Sequence, residues 1–111
     1  MRIFCWNDWN VEHIAVHGVA PEEAEEIVRG ARPPYPRDQG DEKYLVWGQT
    51  SAGRYLQVIY IIPDDEDVDV DALDAAALLA FLDDEAVIYV IHAMDMTERQ
   101  KWQYRKKRGA L

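Results

Sequence analysis

The sequence predicts an α+β domain, with a mostly antiparallel sheet of about four strands and helices packed on one face. Three observations predict it. "KYLVWGQ" and "RYLQVIYII" are dense in β-branched and aromatic residues and are joined by "TSAG", the pattern of a hairpin. Two helical stretches precede that hairpin, and a strand and a helix end the chain, so the order runs β-α-α-β-β-(acidic α)-β-α. Strands joined by short links favour antiparallel neighbours. A chain of 111 residues, 49% apolar and 30% charged, suits one domain spanning residues 1–111 around a single core.

Each element has its own local reason. "RIFCW" reads as a short first strand. Asn7 or Asp8 then offers a side-chain cap for a helix through about His17, and Gly18 is a natural left-handed stop. "APEEAEEIVRG" predicts a second helix, with Pro21 at its first position and Glu22 and Glu23 at the positive end of the helix dipole. Ala24, Ile27 and Val28 form its apolar stripe, and Gly30 ends it. The prolines of "ARPPYPRDQGD" dictate an irregular loop. After the hairpin, Pro63 closes the second strand, and "ALDAAALLAFL" predicts a short helix inside an acidic insertion at 64–85. "AVIYVIHA" predicts another strand. Thr97 caps a final helix through about Arg108, with Gln100 completing a capping box.

Charge is unevenly spread. The net charge is −9, but residues 64–85 hold ten acids and no base, whereas residues 86–111 hold two acids and six bases. The acidity is therefore one local segment, and the end of the chain is cationic and carries Trp102 and Tyr104. A polyanion partner is compatible with this pattern, because binding depends on the local patch. A single cysteine, Cys5, excludes an internal disulfide and fits a reducing compartment; in its apolar run it reads as a small core residue. No secretory leader and no apolar run of membrane-spanning length is visible, so the expectation is a cytoplasmic chain with no membrane partner.

Three stretches resemble one family. "FCWNDWNVEHIAVHGVAPEEAEEIV" is similar to the opening of BrnT-like proteins, "YLVWGQTSAGRYLQVIYII" to their central hairpin with a Gly-Arg pair at the turn, and "VIHAMDMTERQKWQY" to their last strand and helix. The resemblance spans nearly the whole chain outside 64–85. It implies a RelE-like fold and a toxin of a type II toxin–antitoxin pair: a metal-independent ribonuclease with no cofactor, silenced by an antitoxin protein. Under it His17 matches the family's His-Gly position, Arg54 its hairpin arginine, and Thr97 and Tyr104 its last helix. Met94 stands where the family has an arginine, His92 stands where it has a small polar residue, and the acidic insertion replaces a tight hairpin.

The chemistry implied is attack of a ribose 2′-OH on the adjacent phosphate. A base must take the 2′ proton, an acid must protonate the leaving 5′ oxygen, and a cation must stabilise the phosphorane. His17, His92, Arg54 and Tyr104 are the candidate catalytic residues, histidine for proton transfer and arginine for its phosphate-matching fork. Arg99, Lys101, Trp102, Arg105 and Lys106 are the candidate RNA-binding residues, the cations for the backbone and the indole for a base. Each has a plainer alternative: His17 at a helix end, Arg54 solvated at a turn, Trp102 and Tyr104 docking the last helix. A catalytically inactive homologue acting as a protein-interaction module is the other functional reading. No metal site is expected. His13 and His17 are four apart on a helix, but only His92 remains as a further histidine. "DVDVD" mimics a calcium loop but carries Ala72 and Leu78 where glycine and glutamate belong.

Overall fold

The computed structural model describes residues 3–62 and 87–109. The helix expected at the centre of the acidic insertion and the "DVDVD" stretch lie outside these residues. The described elements are β1 (Ile3–Cys5), α1 (Asp8–Ala15), α2 (Pro21–Arg29), β2 (Arg37–Asp38), β3 (Lys43–Gln49), β4 (Tyr55–Ile61), β5 (Val87–Asp95) and α3 (Glu98–Gly109). The domain is α+β, as expected, but the sheet has five strands in the order β1-β5-β4-β3-β2.

Local chemistry sets the helix ends. Asn7 caps α1: its Oδ1 accepts from the Asn10 amide at 3.1 Å, and Asn10 Oδ1 accepts from the Asn7 amide at 2.8 Å. Asn10 is fully buried, and its Nδ2 also donates to the Cys5 carbonyl at 3.0 Å, which ties β1 to α1. The helix stops at Ala15, short of His17, and Gly18 reverses the chain at φ +71°. In α2, Pro21 occupies the first turn, and Glu23 accepts from the Ala20 amide at 3.0 Å. Thr97 and Gln100 form the expected reciprocal cap on α3, at 2.9 and 3.1 Å.

Two expectations about the sheet are corrected. The proline-rich loop contains β2, whose Arg37 and Asp38 pair with Leu45 and Tyr44 on β3. The backbone turns back through Gly40, Asp41 and Glu42, all at positive φ, and Lys43 donates to the Gly40 carbonyl. The sheet is also mixed, because β1 pairs in parallel with β5, from Ile3 opposite Val87 to Cys5 opposite Tyr89. The contact joins segments more than eighty positions apart, so no local turn signals it.

The helices do not share one face either. Side chains alternate along β4, and Leu56, Val58 and Tyr60 are buried with Val46 of β3. Ile27 of α2 packs against Gly48, the register partner of Leu56, so α2 covers that face. α3 meets the other set: Gln100 hydrogen-bonds Gln57 at 3.3 Å, and Lys101 and Arg105 lie over the Tyr55 ring. No helix among the described residues is long and apolar enough to cross a membrane.

Candidate active site

His92 lies on the α3 side of the sheet. It is the register partner of Ile59, and Met94 is the partner of Gln57, the residue bonded to α3. The ladder is irregular between Ile59 and Tyr60, which leaves Ile91 without a direct partner. Such bulges turn neighbouring side chains out of strict alternation. β5 runs past the end of β1, and α1 packs along β5.

That packing gathers three histidines. The ring centres of His17 and His92 are 5.2 Å apart, edge to face at 70°. Those of His13 and His92 are 6.1 Å apart. His13 in turn stacks on Trp9 at 4.8 Å and 7°, and Trp9 lies nearly parallel to Tyr89 at 6.2 Å. Residues 9, 13 and 17 are successive steps of four along one side of α1 and the turn after it. Although three imidazoles meet here, no set of three His, Cys, Asp or Glu side chains among the described residues is arranged to hold a metal ion.

His92 is half-buried while His13 and His17 are exposed. Burial, followed by the neighbouring His17 and His13, holds the His92 pKa below the ordinary 6.5. It is therefore neutral at pH 7 and has a lone pair to offer. Its Nε2 stands 3.0 Å from the Met94 sulfur. A thioether sulfur can only accept, so a hydrogen bond at this contact requires the proton on Nε2 and leaves Nδ1 as the basic atom.

Arg54 sits beside the cluster and is heavily engaged. Its Nε and Nη2 donate to Asp95 Oδ1 and Oδ2 at 2.9 and 3.2 Å. Nη1 donates to the Gly18 carbonyl at 2.7 Å and to Glu23 at 3.0 Å, and Nη2 also reaches the His17 carbonyl at 3.4 Å. All five guanidinium N–H groups have partners, so none is spare for a phosphate in this arrangement. The Asp95 hydrogen bonds raise the Arg54 pKa, and the Arg54 hydrogen bonds hold the Asp95 carboxyl below its ordinary range. The arrangement clasps β4, β5, α2 and the turn carrying His17.

The remaining candidates divide between two sides of α3. Tyr104 is buried, with ring neighbours Tyr35 and Tyr55 at 6.4 and 6.1 Å, so its contacts are with the tyrosine cluster that seats the helix. Lys101 pairs with Glu98 at 3.1 Å and, with Arg105, lies over Tyr55. Arg99, Trp102 and Lys106 face outward; Trp102 is 59% exposed, with the Lys106 ammonium 4.9 Å from its ring centre. Of the four candidate catalytic residues, the fold thus brings together His17, His92 and Arg54, while Tyr104 belongs to a different cluster. Trp9, His13 and Tyr89 join the site without having been singled out for it; the four-residue spacing of Trp9, His13 and His17 was the available signal.

No family model, no curated protein and no solved structure matches this chain.

Proposed function

We propose that this chain is a BrnT-like domain of RelE-like fold that cleaves RNA without a metal ion. His92 acts as the base and His17 as the acid. His92 removes the 2′ proton; the 2′ oxygen bonds to phosphorus as the P–O5′ bond breaks; His17 gives its proton to the departing 5′ oxygen. The products are a 2′,3′-cyclic phosphate and a free 5′-OH. The cations of α3 (Arg99, Lys101, Arg105 and Lys106) hold the RNA backbone, Trp102 supplies a stacking surface, Arg54 shapes the site from the hairpin, and Tyr104 seats α3. The natural partner of such a site is a protein antitoxin that covers it.

The observation that carries this reading is the pair of imidazoles at 5.2 Å, one of them half-buried with a depressed pKa. Perturbed groups in mutual contact are a mark of acid–base sites. His92 and the basic helix also belong to one sheet face, through the Gln57–Gln100 contact. The test is incubation of purified protein with RNA in the presence of a chelator, with His92→Ala and His17→Ala alongside.

A second reading is favoured by one specific feature. Arg54 is committed to Glu23 and Asp95, and the position where the resembling family has an arginine holds Met94 against His92. Loss of a transition-state charge donor costs about 10²–10³ in rate. A homologue that keeps the scaffold and binds protein without cleaving RNA accounts for both facts. It is distinguished by a folded wild-type protein that leaves RNA intact.

A further inference from the structure

We propose that Trp9, backed by His13, is the docking point for a nucleobase of single-stranded RNA next to the histidine pair. The proposal rests on the reading of this face as an RNA site and names where the base goes. Trp9 is 54% exposed, although His13 stacks on it at 4.8 Å and Tyr89 lies near-parallel at 6.2 Å. An indole that served only to dock α1 would be covered, as Ile14 of the same helix is. About half of Trp9 thus stays accessible beside a row of flat rings.

The row is rigid for identifiable reasons. Trp9 and His13 are one turn apart, so the helix itself sets their stacking. Tyr89 donates from its hydroxyl to Asn7 Oδ1 at 3.2 Å, the same oxygen that caps α1 at Asn10, so ring and helix start are fastened together. A preordered platform loses little conformational freedom when a ligand stacks on it.

Position and charge both choose a base as the occupant. The rings step from Trp9 to His13 at 4.8 Å, from His13 to His92 at 6.1 Å and from His92 to His17 at 5.2 Å. A base seated at the Trp9 end lies two ring steps from His92 along this row. Asp8 and Glu12 are exposed on the same helix and disfavour an anion there. A base is neutral and stacks regardless, while its phosphates are drawn toward the cations of α3. Stacking of this kind tolerates all four bases.

The test is binding of a fluorescein-labelled, fully 2′-O-methylated RNA oligonucleotide to the full chain, read by fluorescence anisotropy. Such RNA has no free 2′-OH, so binding is measured apart from cleavage. Trp9→Ala is expected to weaken binding about tenfold. Trp9→Tyr, which keeps a ring, is expected to stay within about threefold of wild type. Val16→Ala, at an 80% exposed apolar position beyond the row, is expected to change nothing. Circular dichroism of each variant checks folding. Equal affinity of wild type and Trp9→Ala would overturn the proposal, as would a wild-type protein that does not bind the oligonucleotide. Binding through Trp9 without cleavage of unmodified RNA removes the catalytic reading and leaves the base site standing. Cleavage that is unaltered in Trp9→Ala removes the base site and leaves the catalytic reading standing.

Discussion

Arg54 donates from Nη1 to the carbonyl of Gly18 at 2.7 Å, which fastens the turn after α1 to the β3–β4 hairpin. The same guanidinium holds Asp95 at the end of β5 and Glu23 on α2. His17 is attached to that turn and His92 to β5, so one side chain sets the frame in which the two imidazoles meet. Arg54→Ala is expected to lower stability by about 1–3 kcal/mol, more than an ordinary surface pair, because two carboxylates and two carbonyls lose a shared donor. Urea unfolding monitored by tryptophan fluorescence measures it. The histidine ring resonances should shift in the NMR spectrum of the same variant.

The histidine cluster gives stability a pH dependence with a definite sign. The folded His92 pKa lies below the ordinary 6.5, so the unfolded chain binds more protons near that pH. This contribution to stability is complete above pH 6.5, and it is lost as the pH falls toward the folded value. Thermal melts between pH 7.5 and 5.5 should show a falling Tm, and His92→Gln should flatten the slope. At lower pH a second loss is expected, because the Asp95 carboxyl titrates below its ordinary 3.8 and releases Arg54 once protonated.

Buried Asn10 is a polar anchor that the apolar pattern of α1 does not announce. It is fully buried, completes the Asn7 cap and holds the Cys5 carbonyl. Asn10→Ala removes the half of the capping box in which Asn10 Oδ1 accepts from the Asn7 amide, together with the buried donor to the Cys5 carbonyl, at a cost of about 2–3 kcal/mol. Asn10→Asp keeps the acceptor for the cap but not the donor to Cys5, and is expected to recover only part of the loss. Chemical denaturation of both variants resolves the two roles.

At Gly48 the packing of α2 admits a methyl group only if Ile27 gives way by a few tenths of an ångström. A Cβ there stands 3.1 Å from Ile27 Cδ1 and 3.3 Å from Ile27 Cγ2. Gly48→Ala should destabilise by about 1–3 kcal/mol through displacement of Ile27. Pairing it with Ile27→Val should relieve part of the loss, a non-additivity that a double-mutant cycle detects.

These residues also show where reading a sequence succeeds and where it stops. The β3–β4 hairpin, the Pro21 start of α2 and the Thr97–Gln100 cap were legible because each rests on neighbours within a few positions. The parallel β1–β5 pair and the two-residue β2 were not, since each depends on a partner strand that supplies the pairing. Gln57 carried no signal that α3 would settle on its side of the sheet; the contact with Gln100 arises only in the folded chain. At the site, the resemblance and the proton chemistry of histidine single out His17 and His92 in the sequence, whereas Arg54 reads there only as a hairpin cation. Its partners Glu23 and Asp95 come from α2 and β5, and they turn a free charge into a structural clasp.

The most direct measurement is cleavage of a fluorogenic single-stranded RNA by the purified protein in the presence of a chelator. The expected result is cleavage by wild type that leaves a 2′,3′-cyclic phosphate, with kcat reduced about 10²–10⁴-fold in His92→Ala and in His17→Ala. The double variant should be little worse than either single variant, as for residues that act as a unit. Intact RNA after prolonged incubation with folded wild-type protein, or cleavage undiminished in His92→Ala, would contradict it.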